Sequence, residues 1–287
     1  MRNRLNYIAQ LVVVLGGVLS MKFYYSAASV NQLRWILAPT TVLVEFITGR
    51  HFAFESHAGY MSSDHTFLIA ASCAGVNFLI TAFLMLTLRQ LWRDRLRQRH
   101  QAWWRRWAFL PFAGGVAYAT TLVANTARIS IALQMQQMSF KIGWLDAEQL
   151  HRLEGIFVYF GFLLLLFVLG ERTRTAWARE VSGVTRRFSL LRASCFPLLI
   201  YYAMTLGLPL ANGAYRQASF WEHSLFVLLA PVIIVLFVVV LANLMKRFHP
   251  THVHYTSVCR CGVPSLNRSG KQSVPPRGSG WVGSQIL

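Results

Sequence analysis

The chain has 287 residues, of which 55% are hydrophobic, and carries a formal net charge of +18. Its mean hydropathy is +0.42, and its apolar residues form long runs instead of the short periodic pieces of a soluble domain, which excludes a water-soluble globular fold. A helix needs about 20 apolar residues to cross a hydrocarbon core about 30 Å thick. Because a chain in lipid must satisfy its own backbone hydrogen bonds, these runs should be helices. The sequence therefore predicts an all-α protein, a polytopic bundle of transmembrane helices.

Six stretches are long and apolar enough to span a membrane. They are residues 6–25, 66–88, 107–133, 154–170, 190–210 and 223–245. A shorter apolar stretch at 35–48 contains Pro39 and Glu45. Segments of about 10–14 apolar residues are more often interfacial, re-entrant or buried than spanning. We therefore predict a short outer-leaflet or re-entrant helix here, with a seventh crossing as the alternative.

The arginines predict the orientation of the spans. Residues 89–106 contain seven Arg against one acid, and residues 171–192 contain six Arg. Because basic residues in short connections stay in the cytoplasm, both segments are expected inside. The connections expected outside are residues 49–65, 134–153 and 211–222.

The excess of basic residues does not indicate a nucleic-acid partner. The arginines flank the predicted spans, and Trp103, Trp104 and Trp107 lie among them, as interfacial anchors do. Attraction to the anionic lipids of the inner leaflet accounts for the remaining charge. Membrane lipids, and no nucleic acid, are therefore the expected partners.

The end of the chain differs from the rest. Residues 249–287 are rich in Ser, Gly, Pro and basic residues, a composition that does not support a packed domain. We predict an integral-membrane domain over 1–248 and a disordered basic tail over 249–287. Cys259 and Cys261 lie near several histidines in this tail, but the spacing matches no zinc pattern. No metal or cofactor is expected.

Three polar side chains from consecutive spans fall at one expected depth. Cys73 would lie about one and a half turns into an inward-running helix, roughly 9–10 Å below its outer end. Arg128 lies about five residues, or roughly 8 Å, before the outer end of the next span, and His151 immediately precedes the following one. Singly, a buried Cys is a small hydrophobe, an Arg near a helix end snorkels, and a His at a helix start is solvated. Together they predict a site near the outer surface.

The chemistry of these groups explains why they would meet. A thiolate is a nucleophile, whereas burial alone leaves a thiol protonated and inert. His151 can accept the proton, as in Cys–His enzymes. The guanidinium of Arg128 stays protonated, so its fitting roles are stabilising a thiolate or oxyanion and holding a substrate carbonyl or carboxylate. The small residues around Cys73 would leave room for a substrate segment beside the sulfur.

Three further polar residues are predicted to support this site. Asn125 is one turn from Arg128, and Asn77 is four residues beyond Cys73. Both amides suit orienting hydrogen bonds and equally suit contacts between helices. Glu154, three residues after His151, would orient the imidazole or cap the helix.

At these residues the chain resembles a known family. Cys73-Ala74-Gly75, Asn125-Thr126-Ala127-Arg128 and His151 before the next span look like the exosortase/archaeosortase family. The segments "APTTVLVEFITGRHFAFESHAGY" (38–60) and "HRLEGIFVYF" (151–160) look most like its exosortase K branch. The resemblance covers about residues 33–165. It implies an integral-membrane cysteine transpeptidase with Cys73, Arg128 and His151 as catalytic residues.

The resemblance also implies a substrate and a location. Such proteins process exported proteins that bear a C-terminal sorting signal, consisting of a motif, a transmembrane helix and a basic cluster. We therefore expect a multi-pass protein of the cytoplasmic (inner) membrane with its active site facing outside. One alternative is a polytopic carrier that binds an anionic solute at Arg128, and another is a non-catalytic assembly scaffold. Solute flux that survives Cys73→Ala would favour the carrier.

Overall fold

The computed structural model describes residues 2–97, 103–137, 147–182, 190–211, 213–216 and 218–248. Within these ranges the chain forms eight α-helices. They are α1 (Arg2–Ala27), α2 (Arg34–Thr48), α3 (Val76–Arg97), α4 (Trp103–Gln137), α5 (Ala147–Ser182), α6 (Leu190–Tyr202), α7 (Leu208–Ala211) and α8 (Ala218–Phe248). Three strands are β1 (Phe52–Glu55), β2 (Gly59–Ser62) and β3 (Leu68–Ile69). Two 3₁₀ turns cover Ala71–Ala74 and Ala214–Arg216, and a π-helical turn, Ala203–Gly207, joins α6 to α7.

The described helices confirm the predicted all-α, polytopic bundle. Within the described ranges, six helical stretches are long and apolar enough to cross a membrane. They are Leu5–Ala27, Ala71–Arg95, Trp107–Gln136, Gln149–Arg172, Ser194–Ala211 and Ser224–Leu244. The fifth continues from α6 through the π-helical turn into α7.

Helix α3 is the centre of the bundle. It packs against α1, α4, α5 and α6, and 61% of its most apolar stretch is buried, against 39% or less in the other five. Large side chains such as Met85 on α3 and Phe160 and Leu163 on α5 are fully buried in this core. The outward faces of α1 and α8 instead expose apolar side chains such as Phe23 and Phe237. Such surfaces suit contact with lipid.

The predicted start of the second span is wrong. A helix was expected from residue 66, but Leu68–Ile69 form β3 and α3 begins only at Val76. Gly75 has φ +68°, a left-handed conformation that separates the 3₁₀ turn from α3. Cys73 therefore precedes α3 and does not lie inside a long helix.

The connection at 49–65, expected to be a loop, contains most of a small antiparallel sheet. Strand β2 pairs with β1 from Phe52↔Ser62 to Glu55↔Gly59, and with β3 through Tyr60↔Ile69 and Met61↔Leu68. The strand order is β1-β2-β3. A Cβ at Gly59 would lie 2.3 Å from the carbonyl oxygen of Ile69, so only glycine permits this close approach.

The short helix α2 joins the sheet to the bundle. Its Arg34 guanidinium lies 4.6 Å from the ring centroid of Phe54, and the Glu45 carboxylate accepts the N–H of Phe52 at 2.7 Å. On α4, Tyr118 stacks on Trp35 and donates to its carbonyl at 2.8 Å. The 15 residues of α2 fall short of a span. Its location in the outer leaflet stays a prediction.

Residues Met1–Arg247 form one compact unit. Phe248 is the last described residue. The predicted disordered tail, 249–287, lies outside the described part of the chain.

Candidate functional site

Cys73 is presented by a tight turn that packs on α4. Its N–H donates to the carbonyl of Ala70 at 2.9 Å, and its own carbonyl accepts a short hydrogen bond from the side-chain amide of Asn125. A Cβ at Gly75 would lie 3.2 Å from Cγ of Asn125 and 3.3 Å from Cγ2 of Thr121. The small residue at 75 thus lets the turn approach α4, which differs from the expected role of making room for substrate. The thiol itself is free and partly buried.

Cys73 lies just before the N-terminus of α3. The 3₁₀ turn ends at Ala74, and α3 continues for 22 residues from Val76. Unpaired N–H groups at the start of a helix carry a partial positive charge, which stabilises anions within about one turn.

Arg128 is held by two side chains from α5. Its Nη1 donates to the hydroxyl of Tyr159 at 3.2 Å, and its Nη2 lies 3.2 Å from Nε2 of His151. The guanidinium carbon is also 5.3 Å from the ring centroid of Tyr159. Its Nε is buried and has no hydrogen-bond partner among the described residues. A Cβ at Gly155 would lie 3.1 Å from this Nε, so glycine there provides space for the guanidinium.

The contacts of His151 define its tautomer. Because guanidinium groups only donate, Nε2 of His151 must be the acceptor of the contact with Arg128. The ring proton of the neutral imidazole then lies on Nδ1, 3.2 Å from Oε2 of Glu154. Glu154 is buried, and within the described residues its oxygens have no aligned hydrogen bond, so this contact is an electrostatic one. This contact favours the hypothesis that Glu154 orients His151 over the hypothesis that it caps the helix.

Tyr159 was missed by the sequence analysis. Its hydroxyl accepts from Arg128 and donates to Oδ1 of Asn125 at 2.9 Å, and its ring stacks on Phe78. A continuous chain of hydrogen bonds therefore connects Arg128 through Tyr159 and Asn125 to the carbonyl of Cys73. The available signal was spacing: His151, Gly155 and Tyr159 follow at intervals of four and share one face of α5.

One cavity brings the three predicted catalytic residues together. It has a volume of about 440 Å³, and Cys73, Arg128 and His151 all contribute to its lining. The rest of the lining is Thr66, Phe67 and Leu68 near β3, Ile129, Ala132, Met135 and Gln136 of α4, and Leu150 of α5. The trio thus lies around a space large enough for part of a peptide.

The two predicted asparagines have different positions. Asn125 is fully buried between Tyr159 and the Cys73 turn, where it fits the orienting role. Asn77 instead accepts a hydrogen bond of 2.8 Å from Nζ of Lys22 on α1. That contact favours the alternative interpretation of Asn77, a connection between helices.

The cavity combines a thiol beside a helix N-terminus, a fixed cation and an imidazole, which are the groups that acyl transfer requires. Among the described residues, no three His, Cys, Asp or Glu side chains lie together as a metal site would require. Comparisons of the whole chain with protein-family models, curated proteins and solved structures find no match.

Proposed function

We propose that the chain is an integral-membrane cysteine peptidase/transpeptidase. The observation that carries the proposal is the shared cavity of Cys73, Arg128 and His151, where a nucleophile, a cation and a base come from three separate elements. The expected substrates are exported proteins with a C-terminal motif, transmembrane helix and basic cluster, as the family resemblance implies. The spanning helices of the chain fit such a substrate, because the transmembrane helix of the substrate can approach the cavity within the same membrane.

The first chemical step forms a carbon–sulfur bond. The thiol of Cys73 transfers its proton to Nε2 of His151, and the thiolate attacks the carbonyl carbon of the scissile peptide bond. The electron pair of the C=O bond moves to oxygen, and Arg128 stabilises the resulting oxyanion. In the resting site Arg128 occupies the lone pair of Nε2. The substrate carbonyl must therefore replace Nε2 of His151 as the acceptor of the Nη2 group of Arg128. Substrate binding thus frees Nε2 to accept the proton of the thiol.

The second step breaks the peptide bond and the third restores the thiol. As the oxyanion collapses, the C–N bond breaks, the leaving amine takes the proton from His151, and a thioester remains on Cys73. A water molecule or an acceptor amine then loses a proton to His151 and attacks the thioester. The sulfur leaves as thiolate and is reprotonated, which gives hydrolysis or transfer respectively.

The chain is proposed to lie in the cytoplasmic membrane with this cavity on the outer side. The support is the arginine distribution, because residues 89–106 and 171–192 join the ends of the helices that lie far from Cys73 and Arg128. An exported substrate would reach the cavity after its translocation.

Substitution of the nucleophile tests the proposal. The full chain is produced with an exported protein from the same genome that carries the tripartite signal, and loss of its C-terminal segment is followed. Cys73→Ala should abolish processing while the protein stays inserted, and Cys73→Ser should be inactive because a hydroxyl ionises far less readily. Cys195→Ala, on α6, is the matched control and should process normally. Processing at the normal rate by inserted Cys73→Ala would refute the proposal.

The carrier remains a second candidate because of one observation. The buried Nε of Arg128 has no hydrogen-bond partner within the described residues, so it is free to donate to a bound anion. A carrier would transport its solute in Cys73→Ala and lose flux in Arg128→Ala. The peptidase loses its activity in both variants.

A further inference from the structure

Within the described residues, strand β3 has one paired edge and one open edge that has no strand beside it. In the strand order β1-β2-β3 it is terminal, and β2 pairs with only one of its sides. Ser62 donates its N–H to the carbonyl of Phe67 at 2.9 Å, and the N–H of Phe67 donates to the hydroxyl of Ser62. Bonded and non-bonded pairs alternate in an antiparallel ladder. The N–H and C=O of Leu68 therefore point away from β2.

The open edge of β3 faces the cavity of Cys73. The carbonyl of Thr66, two residues before Leu68 and therefore on the same edge, accepts a hydrogen bond of 3.2 Å from Nε2 of Gln136 on α4. Leu68 itself lines the cavity. The side chains of α4 that line the opposite wall are Ile129, Ala132, Met135 and Gln136. The cavity is thus a slot between a strand edge and a largely apolar helix face, with Cys73 five residues beyond Leu68.

We propose that the substrate enters this slot as an extended strand that adds to the open edge of β3. The proposal rests on the proposed function, since it treats the slot as the place where the scissile bond lies. Main-chain pairing with Leu68 supplies affinity for any extended sequence, and alternate side chains of the peptide contact the α4 wall. The segment that precedes the substrate's transmembrane helix must then be non-helical, because a helix uses its own backbone groups and hides the scissile carbonyl.

Two electrophiles with the same reactive carbon test this pairing. Cys73 is kept as the sole thiol by the changes C195A, C259S and C261S in the full chain in detergent or vesicles. Acetyl-tetra-alanine chloromethyl ketone contains a peptide backbone, whereas chloroacetone does not. The ratio of their rates of alkylation at Cys73 measures the contribution of the backbone, and the chloroacetone rate reports the reactivity of the thiol.

Leu68→Pro removes the N–H that faces the slot, and proline suits an edge position with extended residues before it. We expect this change to lower the rate ratio by about tenfold, because the peptide loses one main-chain hydrogen bond and the proline ring keeps it further from the strand. Leu68→Ala keeps the N–H and should lower the ratio less than threefold, because the side chain of Leu68 is already 37% exposed. Equal effects of the two substitutions would overturn the proposal.

N-methylation of single amides in the peptide provides a test that needs no variant. Leu68 is the residue of β3 whose main chain faces the slot, so a methyl group on the one peptide amide that pairs with it should slow alkylation, and methyl groups on the neighbouring amides should not. A uniform effect, no effect, or a peptide no faster than chloroacetone would each overturn strand addition. None of these results would refute the proposed peptidase function if processing still depends on Cys73. Processing that survives Cys73→Ala instead removes the proposed function itself.

Discussion

Two arginines inside the helix bundle, Arg89 and Arg128, have opposite environments. Arg89 is near the C-terminal end of α3 and is 8% exposed. It forms an ion pair with Glu171, and its guanidinium carbon lies 3.8 Å from the ring centroid of Phe167. Its Nη1 also donates to the carbonyl of Phe167. Glu171 also pairs with Arg93, so this one carboxylate of α5 is shared by two arginines of α3. The contacts of Arg89 therefore join α3 to α5.

Arg128 lies at the other end of the α3–α4 pair and has no ion pair of this kind. Its hydrogen-bond partners are Tyr159 and His151, and no carboxylate of the described residues lies within ion-pair distance. The charge of Glu154 acts on Arg128 only at longer range. A cation without an ion pair within a span is costly, and such residues mark functional sites. Burial alone therefore does not identify a functional arginine. Arg89 pairs directly with a carboxylate, whereas Arg128 lines a cavity and has no ion pair within the described residues.

The largest difference between the Arg128 end and the Arg89 end of the bundle should be their accessibility to a reagent outside the cell. In a chain lacking the native cysteines, single cysteines replace Ser63, near the sheet, and Arg95, beyond Arg89, both at exposed positions. An impermeant thiol reagent applied to intact cells should label position 63 and not position 95, because the proposed orientation places only the sheet outside. Disruption of the cells should make position 95 reactive. The reverse pattern on intact cells would place the cavity in the cytoplasm.

Conservative substitution of the two arginines should separate chemistry from stability. Arg128→Lys keeps the charge but loses the planar fork that contacts Tyr159 and His151, so processing should fall by about 10²–10³-fold. Arg89→Lys is the matched control. It should lower thermal stability, while its processing rate per folded molecule stays within about twofold of the parent. Similar processing rates in the two variants would remove the distinction between the arginines.

Tyr159→Phe should have an intermediate effect. The change keeps the ring that stacks on Phe78 but removes the hydroxyl between Arg128 and Asn125. We expect processing to fall by about tenfold, because hydrogen bonds to two partners are lost. Tyr118→Phe is the control, since it removes a hydroxyl of the same kind that bonds Trp35 away from the cavity. A loss of processing that is as large in Tyr118→Phe would indicate general destabilisation.

The smallest effect concerns the turn between β2 and β3. Hydrogen bonds from Ser62 and Thr66 lower the pKa of Asp64 from 3.8 to about 2. Since the folded pKa is depressed, the stabilisation is present above about pH 4 and is lost as the pH falls towards 2. Limited proteolysis of the turn should therefore accelerate over this range in the parent chain. Asp64→Asn should be cleaved at a rate that does not change between pH 4 and 2, and a parallel rise in both would contradict the assignment.

Hydrophobic runs were sufficient to predict the bundle and six spanning helices. They failed around residues 66–75, because an apolar stretch such as "FLIAASCAG" fits a helix as well as a strand followed by a turn. The choice depends on pairing of Leu68–Ile69 with β2, seven to nine residues earlier in the chain, and on the left-handed Gly75. A strand of two residues is too short to show a periodic pattern in the sequence.

The members of the site were predictable to different degrees. Cys73, Arg128 and His151 are chemically conspicuous in apolar surroundings, and the structure places all three around one cavity. Tyr159 was not predicted, because an aromatic residue in an apolar run resembles ordinary packing until its hydroxyl partners are known. Asn77 was equally conspicuous in the sequence, yet its position on α3 directs it to Lys22.

Isolation of the covalent intermediate tests directly whether Cys73 is the nucleophile. The wild-type chain is mixed with the exported substrate, quenched in acid and analysed by mass spectrometry of the peptide that contains Cys73. We predict an acyl adduct on Cys73 that hydroxylamine removes, as it does a thioester, and that is absent in Cys73→Ala and strongly reduced in Arg128→Lys. Processing of the substrate at the normal rate by Cys73→Ala, with no adduct on Cys73 in the wild-type chain, would contradict this account.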